Sequence, residues 1–340
     1  MNVLHLCDTP LSGAPYNLCR TLDKHPDINA RLINHRDAYS PQSQMVYPSD
    51  ICLSRGKNNK EIRAHLREVS EEVNEAFKFC DVIHCHNFLD TQKVFRFFPH
   101  AKEYLKTKPV VLQYHSFRGS IVGVENTLKD PRVNKHLTLA QYQARFFETC
   151  TIVPNALDPR DFTGMSQDSE KMVIGYAPSN INLTGWNNKG YNETVSVLKR
   201  LEKKHPKLIE VHIITNTPHL ECMDIKSRCH VFIDEVMTGS YHMNSLEALA
   251  KGCVVINNID LDCIKAMQSF TGDVEHPFVK SNIQDLSNVL ESLLREFNDN
   301  PSAFEERMKK SLNFIKAHWS PEKIQEKFLP IYQEVIDGNS

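Results

Sequence analysis

Short runs of apolar, β-branched residues alternate along this chain with longer stretches in which apolar positions recur at helical spacing. The first run is VLHL (3–6), followed by a helix from about Ala14 and then ARLIN (30–34). A charged amphipathic helix (about 59–79), DVIHCH (81–86), a further helix (about 90–106), PVVLQYH (109–115) and TIVPN (151–155) continue the series. The polar, turn-rich segment DPRDFTGMSQDSEK reads as a linker, after which KMVIGYA (171–177) restarts the same alternation. IEVHIIT (209–215), HVFID (230–234), a helix ending before Gly252, CVVIN (253–257) and helices over about 282–317 complete the second series. Strand and helix alternating in this way predict two parallel α/β sheets of the doubly wound, Rossmann-like kind. The expected division is residues 1–165, residues 166–318 and a terminal helix over 319–340. In that helix Ser320 would cap, Pro321 would take the first helical position, and an interruption is expected near Pro330.

Composition narrows the class. Of 340 residues, 41% are hydrophobic and 24% charged, enough apolar material for two cores and too much for a disordered chain. Lys and Arg total 40 against 42 Asp and Glu, with the first half slightly basic and the second slightly acidic, which excludes a strongly basic nucleic-acid binder. No apolar run approaches the roughly 18–20 residues of a membrane span, and MNVLHLCDTP reads as a first strand, not a signal peptide. Ten cysteines without a CxxC pair predict reduced core thiols and a cytoplasmic protein.

In open parallel sheets ligands bind beyond the carboxyl ends of the strands, so the residues just after each apolar run carry the candidate chemistry. Gly13, in CDTPLSGAPYN, would let backbone amides approach an anion, although the loop fits neither GxGxxG nor GxxxxGK[ST]. His84 and His86 share one strand face and His115 ends the next strand; no spare carboxylate or thiolate completes an evident metal set, and His115 is the best placed of the three to meet a ligand. Lys189-Gly190 precedes a helix, where a cation and helix amides together suit a diphosphate. The densest segment is VFIDEVMTGSYHMNSLEALAKGCVVINNID. Asn244 and Ser245 are expected to cap its helix, Gly252 to end it, and Glu247 to present two oxygens to a hydroxyl pair from an open cleft.

Taken together, LSGAPYNL, DVIHCHN, VVLQYHS, TIVPNALD, GYAPSN followed by NNKG, and above all GSYHMNSLEALAKGCVVI resemble the retaining GT-B glycosyltransferases of the broad family of sucrose, lipopolysaccharide and mannosyl transferases. The resemblance runs across most of the chain. It implies two Rossmann-like domains facing a cleft and a final helix that crosses back to the first. By position, Glu247 would hold the donor ribose, Lys189 would neutralise the diphosphate, His115 would lie near the transferred sugar and Gly13 near the reacting centre. Ser245 and Leu246 fall where backbone amides meet the diphosphate. Gly239 stands in place of the family's first glutamate, Ser179 and Asn180 stand near the place of an arginine often paired with the lysine, and VPNALD lacks a glycine common after that asparagine.

The resemblance implies transfer of a sugar from a nucleoside diphosphate donor, most simply a UDP-sugar, without metal or other cofactor. Departing charge would be stabilised by Lys189 and helix amides. The acceptor stays open between a cell-envelope glycan, a lipid-linked glycan and a hydroxymethylated DNA base. The aromatic and basic stretch KVFRFFPHAKEYLKTK reads either as a membrane or nucleic-acid contact or as a core helix with a solvated face. Competing readings are a nucleotide-sugar epimerase, a phosphorylase, for which no pyridoxal-phosphate lysine stands out, and a binding protein without turnover.

Overall fold

A computed structural model describes residues 1–40, 43–158, 160, 169–178, 190–234, 236–272 and 275–338. The chain forms two compact units, Met1–Pro159 with Pro321–Ser340, and Arg160–Ser320. The first contains β1 (Asn2–Cys7), α1 (Ala14–Leu22), β2 (Asn29–Asn34), β3 (Ile51–Cys52), α2 (Asn59–Glu68), α3 (Ser70–Phe79), β4 (Val82–His86), α4 (Lys93–Phe97), β5 (Val110–Tyr114), α5 (Val124–Thr127), β6 (Lys135–Leu139) and β7 (Thr151–Val153). The second contains β8 (Met172–Tyr176), α6 (Tyr191–Lys204), β9 (Ile209–Ile213), α7 (His219–Ser227), β10 (Val231–Ile233), α8 (Met243–Ala250), β11 (Val254–Asn257), α9 (Leu261–Thr271), β12 (Val279–Lys280), α10 (Leu286–Asp299) and α11 (Pro301–Trp319). The last helix, α12 (Pro321–Asp337), returns to the first unit.

Both sheets are wholly parallel, in the orders β3-β2-β1-β4-β5-β6-β7 and β12-β11-β10-β8-β9. The predicted pair of parallel α/β sheets is therefore present. Their inner strands are buried on both faces, which explains why they read as continuous apolar runs with little alternation. No helix among the described residues is long and apolar enough to cross a membrane. All ten cysteines are free, and nine are buried.

Register decides what each face of the first sheet carries. His5 pairs with His84, and His86 with Gln113, so these four side chains share one face. The opposite face carries Leu4, Leu6, Ile83, Cys85, Val110, Leu112 and Tyr114 into a core with Phe77, Phe95 and Phe98. The polar face is closed by α12, whose Phe328 and Tyr332 rings lie against His84. Gln325 donates to the carbonyl of Thr21 at 2.8 Å, and Lys135 donates to Glu334 at 2.8 Å. Pro330 does not interrupt this helix, contrary to the expectation. It lies on the exposed side, where water can satisfy the carbonyl left without an amide.

Other differences are local. The charged helix breaks at Val69 into α2 and α3, and α4 is followed by a 3₁₀ stretch over Pro99–Lys106. In KVFRFFPHAKEYLKTK, Val94, Phe95, Phe98, Ala101 and Leu105 are buried core side chains, so most of its apolar surface is spent inside the protein and not on a membrane or nucleic acid. Most of the expected linker lies outside the described residues.

Gly175, in the interior strand β8, has a packing reason. A Cβ there would meet Cys229 Sγ and Phe232 Cδ2, each at 2.7 Å. Gly175→Ala should destabilise the second unit by about 1–3 kcal/mol through overpacking, measured by urea unfolding; wild-type stability would show that the site relaxes freely.

Candidate functional site

In the second sheet three strands end level with one another, placing Ala177, Asp234 and Asn257 side by side just beyond or at the ends of β8, β10 and β11. The first turn of α8 is stitched to all three. Asn244 Nδ2 donates to Ala177 O at 2.9 Å, Ser245 Oγ donates to Asp234 Oδ2 at 2.8 Å, and Asn257 Nδ2 donates to Ser245 Oγ at 3.3 Å. The Asp234 carboxylate also accepts the His242 amide at 2.7 Å. Asn244 and Ser245 are thus not caps. The residue at the N-cap is His242, which makes no side-chain capping bond.

Ser245 and Leu246 donate their amides to His242 O at 3.1 and 3.3 Å, inside the turn. The amides that no intrahelical carbonyl can reach are the first two, of Met243 and Asn244. This moves the expected amide site from Ser245 and Leu246 to the very start of the helix. Gly252 ends it with φ +81°, as its sequence position suggests.

Glu247 is not open to a cleft. It is 5% exposed, and its two oxygens take different donors: Oε1 from His219 Nε2 at 3.1 Å, and Oε2 from Lys226 Nζ. Lys226 has no exposed surface. It also donates to Asn244 Oδ1 at 2.8 Å and lies over the Phe232 ring, 5.1 Å from its centroid. Burial opposes ionisation of Glu247, but the Lys226 charge and the His219 hydrogen bond outweigh it and hold the carboxyl at about 2. Burial likewise disfavours the Lys226 ammonium, and Glu247 more than compensates, raising it above its ordinary value. Each carboxylate oxygen keeps a lone pair beyond its present donor, so hydroxyls that reach Glu247 can still be accepted.

Sequence reasoning missed Lys226, His219 and Asp234. A lysine in MDIKSRCH looks like any solvated helix residue, and only the fold brings it under α8. Lys189, Ser179 and Asn180 lie outside the described residues. Gly239 has φ +73°, and a Cβ there would lie 2.5 Å from Asp260 Oδ2, so both conformation and space select glycine at the position where the resemblance would place a glutamate.

In the first unit, Leu11, Ser12 and Gly13 follow β1 with φ of 46°, 55° and 80°. Two of these three consecutive left-handed residues are not glycine, a strained arrangement of the kind that gathers at ligand sites. Gly13 is required twice over, because a Cβ would lie 2.3 Å from the Tyr47 ring. The Ser12 amide donates to the Tyr39 hydroxyl.

His115, just past β5, is fixed by backbone and ring. Its amide donates to Asn87 Oδ1 at 2.7 Å, its carbonyl accepts from Gln143 Nε2 at 2.7 Å, and its Nε2 meets His86 Nδ1 at 2.8 Å. Asn87 itself adopts φ +62°. The histidines continue inward: His86 Nε2 meets His5 Nδ1 at 3.1 Å, and His84 Nδ1 meets the Tyr332 hydroxyl at 2.8 Å. Beside the chain of bonds, His84 and His86 stack with centroids 4.5 Å apart. Burial lowers all four imidazoles, His5 and His115 to about 3, with the Arg20 charge adding to the effect at His5. His5, His84 and His86 could each turn one nitrogen to a common point, these atoms lying within 4.8 Å of one another. Among the described residues no carboxylate or thiolate joins that group to balance a divalent charge, and the nitrogens joining His5 to His86 are engaged with each other, so the arrangement fits a neutral hydrogen-bonded stack better than a metal set. His5 was hidden from the sequence reading inside the apolar run VLHL.

Two parallel α/β units with polar residues gathered at the carboxyl edges of their strands define the GT-B fold. Solved structures agree. A glycosyltransferase from Rickettsia africae superposes with TM-score 0.61 at 10% identity, covering 98% of each chain. Sucrose-phosphate synthase from Thermosynechococcus elongatus gives TM-score 0.57 at 12% identity over 99% of this chain and 100% of that one. A UDP-GlcNAc 2-epimerase from Neisseria meningitidis, bound to UDP-GlcNAc, gives 0.53 at 17% identity over 97% and 100%. No protein-family model matches the chain, and no curated protein matches it in sequence.

Two predictions follow from the buried charges and imidazoles. Glu247→Ala leaves the Lys226 ammonium buried and unpaired, and should cost about 3–5 kcal/mol of stability, whereas Lys226→Met with Glu247→Leu should recover most of it. Urea unfolding of both variants decides; a Glu247→Ala protein as stable as wild type would refute the pairing. The second concerns acid. With folded values depressed and unfolded values near 6.5, the unfolded chain binds more protons than the folded one below pH 6.5. The histidine contribution to stability is therefore full above that pH and lost on acidification towards the folded values, at up to about 1.4 kcal/mol per pH unit per histidine. Unfolding free energies at pH 7.5, 6.5 and 5.5 should fall steeply, and a flat series would contradict the assignment of neutral, buried imidazoles.

Proposed function

We propose that the chain is a glycosyltransferase that moves a sugar from a nucleoside diphosphate donor, a UDP-sugar, to an acceptor hydroxyl with retention and without a metal ion. The observation that carries this reading is the start of α8, a helix end anchored to three strand ends, with the Met243 and Asn244 amides outside its own hydrogen bonds and a carboxylate one turn on. Helix amides there suit a diphosphate, and Glu247 suits a ribose diol. Lys189, just ahead of α6 in sequence, supplies the cation for the leaving group in this reading, and His115 with the strained loop at Gly13 lies nearest the transferred sugar. Support comes also from the fold, shared with glycosyltransferases, one of them a starch synthase bound to ADP and acarbose. The acceptor is a glycan, a lipid-linked glycan or a hydroxymethylated DNA base.

A second reading is favoured by one observation, the similarity to an epimerase bound to UDP-GlcNAc. An epimerase inverts a carbon of the donor sugar with no acceptor present. Incubation with UDP-GlcNAc, UDP-glucose and other donors, alone and with each acceptor class, separates the two: acceptor-dependent UDP release supports transfer, and acceptor-independent conversion to an epimeric sugar, free or still attached to UDP, supports epimerisation.

Lys189→Ala should lower kcat by about 100-fold or more, with a smaller effect on donor KM, because its charge counts most as the diphosphate departs. EDTA should leave the wild-type rate unchanged. Steady-state kinetics measures both; a fully active Lys189→Ala protein would remove the lysine from the mechanism, and metal-reversible loss in EDTA would replace it with an ion.

A further inference from the structure

Several cations of the first unit, Arg20, Arg31, Lys102, Arg118, Arg132 and Lys135, each meet a carboxylate. Arg36, Lys93 and Arg96 stand together without one. The fold explains why they converge. His35 and Arg36 follow β2, and the His35 amide donates to the carbonyl of Cys7, the last residue of β1, at 2.9 Å. β4 flanks β1 on its other side, and the chain beyond β4 returns over the end of β1, where the Lys93 amide donates to Asp8 Oδ1 at 2.7 Å. Lys93 opens α4, Arg96 lies three residues on and so shares its helix face, and Phe97 sets its ring 6.0 Å from the His35 imidazole. Burial first, and then the charges of Arg36, Lys93 and Arg96, lower that imidazole to about 4.

The acids nearby are otherwise engaged. Asp8 pulls on the Lys93 charge but spends Oδ1 on the Lys93 amide, and Asp37 Oδ1 takes the amide and hydroxyl of Ser49. Among the described residues no ion pair or side-chain hydrogen bond reaches Arg36, Lys93, Arg96 or the His35 ring nitrogens. Arg36 and Arg96 are exposed and Lys93 and His35 half-buried, so a solute can reach all four from water within this one unit. Like charges held together repel, and an anion among them removes that cost. A phosphate monoester brings about −1.5 to −2 charge at neutral pH and three acceptor oxygens, enough to engage three cations and the single N–H of a neutral imidazole. Duplex DNA is matched less well, because a face that grips it makes about 6–10 phosphate contacts.

We propose that His35, Arg36, Lys93 and Arg96 bind a phosphate monoester carried by the sugar acceptor. The word acceptor rests on the transferase reading; the anion site does not. A soluble sugar phosphate and a phosphate on a lipid headgroup share this chemistry. The full chain is titrated calorimetrically, without donor, with inorganic phosphate, glucose 6-phosphate, glucose and a short DNA duplex, and sedimented with phosphatidylcholine vesicles with and without phosphatidic acid. The phosphates should bind and glucose should not. Arg36→Gln, Lys93→Gln and Arg96→Gln should each weaken glucose 6-phosphate by about three- to tenfold, while Lys199→Gln, on α6 of the other unit, changes nothing. In phosphate-free urea the three variants should be at least as stable as wild type, since each removes a repulsion. In ¹⁵N-histidine spectra, bound phosphate should raise the pH at which His35 titrates, because the anion offsets the three cations. Binding of soluble phosphates assigns the site to a free sugar phosphate, and binding only to phosphatidic acid vesicles assigns it to a lipid; either supports it. No binding to any phosphate, binding that the three variants leave intact, or a duplex bound more tightly than glucose 6-phosphate overturns it. UDP release that is as fast with an unphosphorylated acceptor as with its phosphate ester also overturns it, with the transferase reading kept. Phosphate binding at these residues without acceptor-dependent UDP release overturns the transferase reading and leaves the anion site standing.

Discussion

The second unit is organised around an ammonium group that has lost all contact with water. Lys226 is held in the interior by Glu247, Asn244 and the face of Phe232, and each of those partners is thereby fixed in turn. An unpaired charge there would be too costly to bury, so α7 and α8 cannot separate without exposing or orphaning it. Because Asn244 also bonds the end of β8 and Ser245 the end of β10, the same pair aligns the start of α8 with the sheet edge. The helix begins there with the Met243 and Asn244 amides outside its own hydrogen bonds, and with the Glu247 carboxylate ionised one turn further on.

The first unit solves a different polar problem. Register puts His5, His84, His86 and Gln113 on the face that α12 closes, where water is excluded and charge is disfavoured. Neutral imidazoles can serve each other as donor and acceptor, so a series of rings satisfies much of its own polarity without ions. The series ends at His115, whose amide and carbonyl are clamped by Asn87 and Gln143. Core polarity and candidate site are in this way parts of one network.

How much of this was legible from residues follows from which forces are local. Strands such as VVLQYH and KMVIGYA announce themselves because both faces are buried, and the glycine at 252 because many helices end in a left-handed turn that glycine adopts without strain. Short edge strands such as Ile51–Cys52 and Val279–Lys280 leave almost no periodic signal. The environment of Glu247 was misjudged because its partner lies 21 residues away on another helix, and sequence spacing says nothing about which helices meet. The cap was placed two or three residues late for a related reason: Asn244 and Ser245 are good capping residues, but tertiary bonds to three strand ends claimed their side chains. His5 went unnoticed since a histidine inside an apolar run acquires meaning only through its neighbour on the next strand.

We propose that the start of α8 receives the donor diphosphate. Crystallography of the chain with bound UDP tests it most directly. Phosphate oxygens should lie within hydrogen-bond reach of the Met243 and Asn244 amides and the ribose hydroxyls against Glu247, with the Lys226 bond retained. A nucleotide bound elsewhere, with these amides facing only water, would contradict it.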